Sequence, residues 1–364
     1  MYSFTPSEEQ QMLMDAIKRY ADQDVRPQAR EADEQAELSP ALIETGWELG
    51  VLQASIPEEY GGFGEYSALT GALAAEGLAH GDLASALAVM TPNLFTLPIL
   101  LAGNEEQKQT HLPPVIAAGW KPYSAALIEY RYDFDPLALS TTAVKNGSTV
   151  TLSGEKSYVP FAADAQAFII YAGLEGNTQA FIVPRETEGL EVGQRQNLLG
   201  IHALPVYSLA LNEVTIPADH QLNGPGGHDI MPLLSSTRVA LTSLAVGVAQ
   251  AAFEYAVDYA KNREVFGVKV AQKQAIAFLI AEMGVEIESA RLLGWEAAWM
   301  IDQGKPQAAK HAYLAYQNAV DMVMMVTDCA VQILGGHGYL REHPVEMWMR
   351  NGRGFATFTG LAMV

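Results

Sequence analysis

Cysteine is almost missing from this sequence: Cys329 stands alone among 364 residues. An internal disulfide is therefore excluded, which fits a reducing compartment. Cys329 lies in the apolar stretch from Val326 to Leu334 and reads as a small packed hydrophobe. Basic residues are also scarce. Lys and Arg number 22 against 42 Asp and Glu, a net charge of −20. A surface that acidic repels nucleic acid and anionic lipid, so neither is expected as a partner, and the charge reads as a solubility feature. The N-terminal run from Met1 to Glu9 has no basic segment leading into an apolar one, so no signal peptide is expected. No apolar run is expected to be long enough to cross a bilayer. Together these absences point to a soluble, cytoplasmic protein. The sequence also has no Gly-x-Gly-x-x-Gly after a strand and no phosphate loop ending in Gly-Lys-Ser/Thr. No Cys/His/Asp set has metal-ligand spacing. His337 and His343 flank a loop and read as solvated side chains.

What is present supports a large core. Apolar residues make up 49% of the chain, and its length suits two or three domains. Residues 1–120 read as helical. Thr5-Pro6-Ser7-Glu8 has the form of a capping box with proline in the first turn. Leu13, Ile17, Tyr20, Ala21 and Val25 then recur at helical spacing until Arg26-Pro27 interrupts them. Residues 121–226 turn to short β-rich runs, such as Ser148 to Leu152, Ala167 to Tyr171, Ala180 to Val183 and Val206 to Leu211. Turn signals like Lys145-Asn146-Gly147 punctuate them, which suggests a barrel or sandwich. Residues 227–364 return to long helices. Leu244, Val248, Ala252, Tyr255 and Tyr259 share one stripe, a second helix is expected from about Ala271 to Ile301, and a third from about Pro306 to Leu334. Apolar-striped helices with short connections predict a bundle.

Two segments carry a chemical suggestion. Lys261-Asn262-Arg263-Glu264-Val265-Phe266-Gly267 closes a long helix, and its arginine can meet a phosphate bidentately. The same residues also suit a basic helix end with a glycine cap. In Gln332-Ile333-Leu334-Gly335-Gly336-His337-Gly338-Tyr339, paired glycines allow backbone to approach a ligand or simply break a helix.

In order and spacing, these pieces resemble the acyl-CoA dehydrogenase family over nearly the whole chain. Tyr20-Ala21 with Val25-Arg26-Pro27 is similar to the family's first helix. Ile56-Pro57-Glu58-Glu59-Tyr60-Gly61-Gly62-Phe63-Gly64 matches a family turn, as does Gly103-Asn104-Glu105-Glu106-Gln107-Lys108 with Leu112-Pro113. Leu152-Ser153-Gly154-Glu155-Lys156 stands where the family has a Leu-x-Gly-x-Lys strand. Arg263 to Gly267, Gln274, and Gln332 to Tyr339 complete the set. The resemblance implies an α+β fold of N-terminal helical domain, central β-barrel or sandwich domain and C-terminal four-helix bundle. It also implies a tetramer, FAD, and an acyl-CoA or acyl-carrier-protein thioester as substrate. The implied reaction is α,β-desaturation: a carboxylate takes the α-proton, the β-hydride goes to the flavin, and electrons leave to an electron-transfer flavoprotein.

The sequence departs from the family where the chemistry should sit. The family's glutamate before a glycine falls on Thr359-Gly360, and a threonine hydroxyl is no base near neutral pH. The alternative glutamate, carried by some members before an arginine on an earlier helix, falls on Thr237-Arg238. The loop that meets flavin and substrate reads Ile128-Glu129-Tyr130-Arg131-Tyr132-Asp133-Phe134-Asp135, so Glu129, Asp133 and Asp135 become the candidate replacement acids. The family's Trp-Ile-Thr against the flavin ring becomes Tyr158-Val159-Pro160, and proline removes both a backbone donor and the hydroxyl. Relatives usually continue through another helix beyond the point where Val364 stands. The chain thus keeps what the family presents to a neighbour's flavin, namely Arg263, Phe266, Gln274, Gln332, Gly335 and Gly336. It alters what would hold its own flavin ring. A subunit that completes the flavin site of a sister chain is the leading expectation, as a homo- or hetero-tetramer. A homomeric dehydrogenase with an unusual base stands beside it, as does a flavin enzyme of another class, such as a monooxygenase, lyase or cyclase.

Overall fold

The computed structural model describes residues 6–117, 119–355 and 359–364. The first part is helical: α1 (Glu8–Tyr20), α2 (Arg26–Gln35), α3 (Pro40–Trp47), α4 (Val51–Ala54), α5 (Ala68–Gly81), α6 (Leu83–Val89), α7 (Asn93–Ala102) and α8 (Glu105–Ile116). The cap of α1 differs from expectation. Ser7 is the N-cap and Gln10 closes the box, while Thr5 lies outside the described residues. Pro27 does not break the first helix either. The chain passes through a π-helical turn at Ala21–Val25, and Pro27 occupies the first turn of α2, where its missing N–H costs nothing. The expected stripe holds: Ile17, Tyr20, Ala21 and Val25 are all buried.

The middle part is a single curled sheet of β1 (Ser124–Ala126), β2 (Thr142–Asn146), β3 (Thr149–Pro160), β4 (Ala167–Leu174), β5 (Asn177–Pro184), β6 (Leu190–Arg195) and β7 (Val206–Pro217). Its order is β1-β4-β2-β3-β7-β6, with β5 paired to β4. β1 and β2 run parallel to β4, and the other pairings are antiparallel. The β3–β7 register shifts between Lys156 and Val159, which kinks the strand at Tyr158.

The last part packs α9 (Met231–Asn262), α10 (Gln274–Asp302) and α11 (Ala308–Leu334) with the shorter α12 (Val345–Arg353); a small hairpin of β8 (Glu264–Val265) and β9 (Val268–Lys269) links α9 to α10. One expectation fails here. Met231–Asn262 and the stretch Ala308–Tyr339 are each long and apolar enough to cross a membrane by length and composition. For α9 the reason is its position. α5, α10 and α11 all pack around α9, so α9 is apolar on most of its faces and most of it is buried inside the protein.

Candidate flavin and acyl site

The candidate residues separate into two groups at different places. The first gathers at one end of the bundle. α9 stops at Arg263, whose backbone N–H bonds Tyr259 and whose carbonyl accepts from Val270 at 2.9 Å, closing the β8–β9 hairpin. Phe266 sits at the hairpin tip with φ 57° and 93% of its surface exposed, and Lys273 lies over its ring at 5.5 Å. Gln274 opens α10 beside it. Gln332 is exposed on the last turn of α11, and Gly335 ends that helix with φ 57°. Nothing lies within 4 Å of where a Cβ would stand on Gly335 or Gly336. Tyr259 ties the two halves together, since its hydroxyl reaches Leu334 O at 3.4 Å and His337 Nδ1 at 3.0 Å. The Arg263 side chain is exposed and has no hydrogen-bond or ion-pair partner among the described residues. This end is an open surface with a free guanidinium, an aromatic face and accessible glycine backbone, a set that suits the phosphates and adenine of a dinucleotide.

His337 and His343 are not solvated as expected. Their rings stack at 5.2 Å, and His343 Nδ1 meets Tyr255 Oη at 2.7 Å. The spacing of Tyr255 and Tyr259, one turn apart on α9, was the available signal.

The second group lies where the sheet meets α9 and α11. Thr237 is buried on α9 and lines a cavity of about 10 Å³ together with Leu127, Leu234, Gly360 and Met363. Thr359 Oγ1 is 3.3 Å from Tyr316 Oη. Ala356, Thr357 and Phe358 of the same segment lie outside the described residues. Beyond Thr359 the chain turns inward: Asn93 donates to Met363 O at 3.0 Å, and Tyr66 donates to Val364 O at 2.9 Å. Leu361, Ala362, Met363 and Val364 are all buried.

The loop acids are placed very differently from one another. Glu129 is 5% exposed and accepts from Lys156 Nζ at 3.0 Å and from the Ser140 and Thr141 backbone N–H groups at 2.7 Å each. Burial alone would raise its pKa, but Lys156 and the two amides outweigh it and hold the carboxyl at about 2. Lys156, noted in the sequence only as a family marker, is fully buried, and that burial brings its pKa down to about 8. Asp133 is exposed and held bidentately by Arg131 at 2.8 and 3.0 Å. Asp135 is exposed, and its Oδ1 accepts from Leu137 N at 2.9 Å.

At the bulge of β3, Tyr158 takes φ 56°, and its N–H is already bonded to Gln196 Oε1 at 2.9 Å. Pro160 has no N–H, and its carbonyl accepts from Ser124 Oγ at 2.7 Å. The small cavity beside Thr237 and the committed Tyr158 N–H do not fit a flavin ring and substrate on this side.

Family models for the acyl-CoA dehydrogenase N-terminal, middle and C-terminal domains match residues 7–119, 125–214 and 224–362. The chain is 36% identical over 355 residues to the mitochondrial short-chain specific acyl-CoA dehydrogenase of Bos taurus, covering 95% of this chain and 85% of that one. It is 34% identical to the probable acyl-CoA dehydrogenase YngJ of Bacillus subtilis, with 96% and 94% covered. Among solved structures, butyryl-CoA dehydrogenase from Megasphaera elsdenii superposes with a TM-score of 0.89 at 32% identity, with 98% of this chain and 96% of that chain covered.

Proposed function

The chain belongs to the acyl-CoA dehydrogenase family, and from that premise we propose that it serves as a subunit of an FAD-linked acyl thioester desaturase, completing the flavin site of a sister chain. The substrate is an acyl-CoA or acyl-carrier-protein thioester, and electrons leave to an electron-transfer flavoprotein. When bound in the sister chain, FAD supplies the hydride acceptor for the β-carbon. The sister chain supplies the carboxylate that takes the α-proton, because Thr359 and Thr237 stand at this chain's two family base positions.

The observation that carries this reading is the contrast between the two groups. The end that the family turns toward a neighbour is exposed at Arg263, Phe266, Gly335 and Gly336, and the Arg263 side chain has no partner among the described residues. The side that would hold this chain's own ring is closed. Tyr158 N–H is spent on Gln196, Pro160 offers no donor, and about 10 Å³ remains beside Thr237. A chain serving only its own flavin has no reason to keep the first set and close the second.

The test is flavin content and subunit composition. The chain purified alone is expected to hold well under one FAD per chain and to show no turnover. Co-expression with a sister chain carrying an intact Glu-Gly is expected to give a mixed tetramer with flavin and activity. Arg263→Ala in this chain should then reduce flavin retention in the mixed assembly. Thr359→Glu alone restores only the base and is expected to leave the homomer inactive. Full flavin occupancy with turnover in that variant homomer would sink the proposal.

A further inference from the structure

The outer face of α10 carries an apolar stripe. Phe278, Ala281, Val285 and Leu292 recur at helical spacing and so lie on one side of the helix. Phe278, Val285 and Leu292 are 59%, 63% and 47% exposed. Beside them runs an open groove of about 590 Å³ between α9 and α10, walled by Phe253, Gly284, Val285 and Leu292. A single exposed apolar side chain needs no explanation, but a contiguous stripe along a groove marks an interaction surface. Gln274 opens α10 on the same side, one turn before Phe278, beside the exposed Phe266 and Arg263. The stripe therefore continues into the end that the family turns toward a neighbour.

The charges around the stripe restrict what can cover it. At helical spacing Glu282 and Glu288 lie on its opposite edges, and Glu296 follows one turn past Leu292; all three are exposed. From Gln274 to Asp302 the one basic residue is Arg291. Its guanidinium is committed to Glu76 at 2.8 Å, to Gln250 at 3.0 Å and to Glu288. One cation thus serves two carboxylates, and the face keeps a negative charge. α11 packs alongside and exposes Asp321 and Asp328, with Lys310 near its start as its one lysine. Two copies of α10 crossing at Val285 would bring Glu282 of each toward Glu288 of the other. Like charges so placed act against pairing. A partner with lysine and arginine along the edges of its own apolar stripe meets both features.

We propose that the α10 stripe docks the sister chain, through a helical face whose apolar stripe is edged by basic residues, and that its acidic edges reject a second copy of this chain. The inference rests on the sister-chain reading above and names the surface and the charge of that partner. Burial of Phe278, Val285 and Leu292 supplies the attraction, and Glu282, Glu288 and Glu296 supply the selectivity.

A charge-reversed copy of the full chain serves as the probe. Glu282→Lys with Glu296→Lys makes the stripe's surroundings basic and leaves Glu288, which holds Arg291, in place. Sedimentation of a fluorescently labelled chain is expected to show the reversed copy binding wild type about 10-fold or more tighter than wild type binds itself at low salt. High salt should narrow that gap, and Val285→Asp in either member should abolish it. Glu282→Gln with Glu296→Gln removes the acids without adding bases and should give an intermediate affinity. Every variant is to have an unfolding midpoint near wild type, and the glutamine pair carries the test if the lysine pair does not fold. Equal affinity of the reversed and wild-type pairs, no association in either, or a gap that survives Val285→Asp would each overturn the proposal. The readout is association alone, so its failure is distinct from failure of the sister-chain reading, which flavin content decides.

Discussion

Glu129 and Lys156 illustrate how a residue that looks available in a sequence can be committed in a structure. A glutamate in the loop after β1 reads as a candidate base, but its partner Lys156 comes from a strand 27 residues later. No local pattern reveals that a lysine in a Leu-x-Gly-x-Lys strand is fully buried, because the burial is set by the fold of the loop over β3. The pair makes a sharp prediction. Lys156→Met leaves a buried carboxylate without its counter-charge and is expected to destabilise the chain by about 3–5 kcal/mol in urea unfolding. Adding Glu129→Gln should recover a substantial part of that loss, because the uncompensated charge is then gone. Additive losses in the double variant would show that the two residues are not coupled.

Acid sensitivity follows from two groups at the same scale. His228 is drawn down to about 4 by burial, and neither ring nitrogen has a protein partner among the described residues. Between about 6.5 and 4 the unfolded chain binds a proton that the folded chain refuses, so stability falls as pH falls through that window. Glu129 has a depressed pKa, so its contribution is present above about 4.5 and is lost as pH drops toward 2. Denaturant midpoints measured against pH should therefore decline in two stages. His228→Gln is expected to remove the upper stage and leave the lower one. An unchanged upper stage in that variant would assign it to another group.

Elements were more legible than sites, for a physical reason. Helical and strand periodicities come from burial of one face, and burial is what the sequence of apolar residues records. The buried stripe Ile17, Tyr20, Ala21 and Val25 and the short β runs therefore lie where the pattern put them. Boundaries slipped where local chemistry competes. Arg26-Pro27 reads as a break, yet a π-helical turn absorbs the proline. The apolar length of α9 reads as an ordinary striped helix, yet it is the central helix and is buried on most faces. Close packing around α9 also depends on glycine. A Cβ on Gly247 would overlap the Glu76 carbonyl oxygen of α5, so the two helices approach with backbone against backbone. Gly247→Ala should cost about 1–3 kcal/mol through overpacking, despite alanine's better helix propensity. Thermal unfolding checks the sign: a rise in Tm would mean that the α5–α9 contact is looser than described.

At the scale of the whole molecule, three parts that read as separate segments in the sequence are joined at one arginine. Arg350 of α12 meets Asp33 of α2 bidentately at 3.0 and 2.6 Å, donates to Glu346 at 2.8 Å and donates to Leu199 O at 3.1 Å. Next to it, Asn351 Oδ1 accepts from Ile201 N at 2.7 Å, and Arg30 bonds Glu346 at 2.5 Å. The cluster links the helical N-terminal part, the loop after β6 and the bundle, and its cross pairs Arg350–Asp33 and Arg30–Glu346 span 317 and 316 residues of sequence. Spacing alone cannot announce such a junction, whereas the resemblance of all three parts to one family could. Asp33 is buried, so Asp33→Ala leaves Arg350 and its neighbours with an unmatched charge and is expected to cost about 3–5 kcal/mol. The loss should fall on docking between parts more than on any one core. Far-ultraviolet circular dichroism and tryptophan fluorescence should therefore report one shared unfolding transition in the wild type and two separated transitions in the variant. If both probes still move together, and only the midpoint is lower, the junction stabilises the molecule as one cooperative unit and the three parts have no independent stability to reveal.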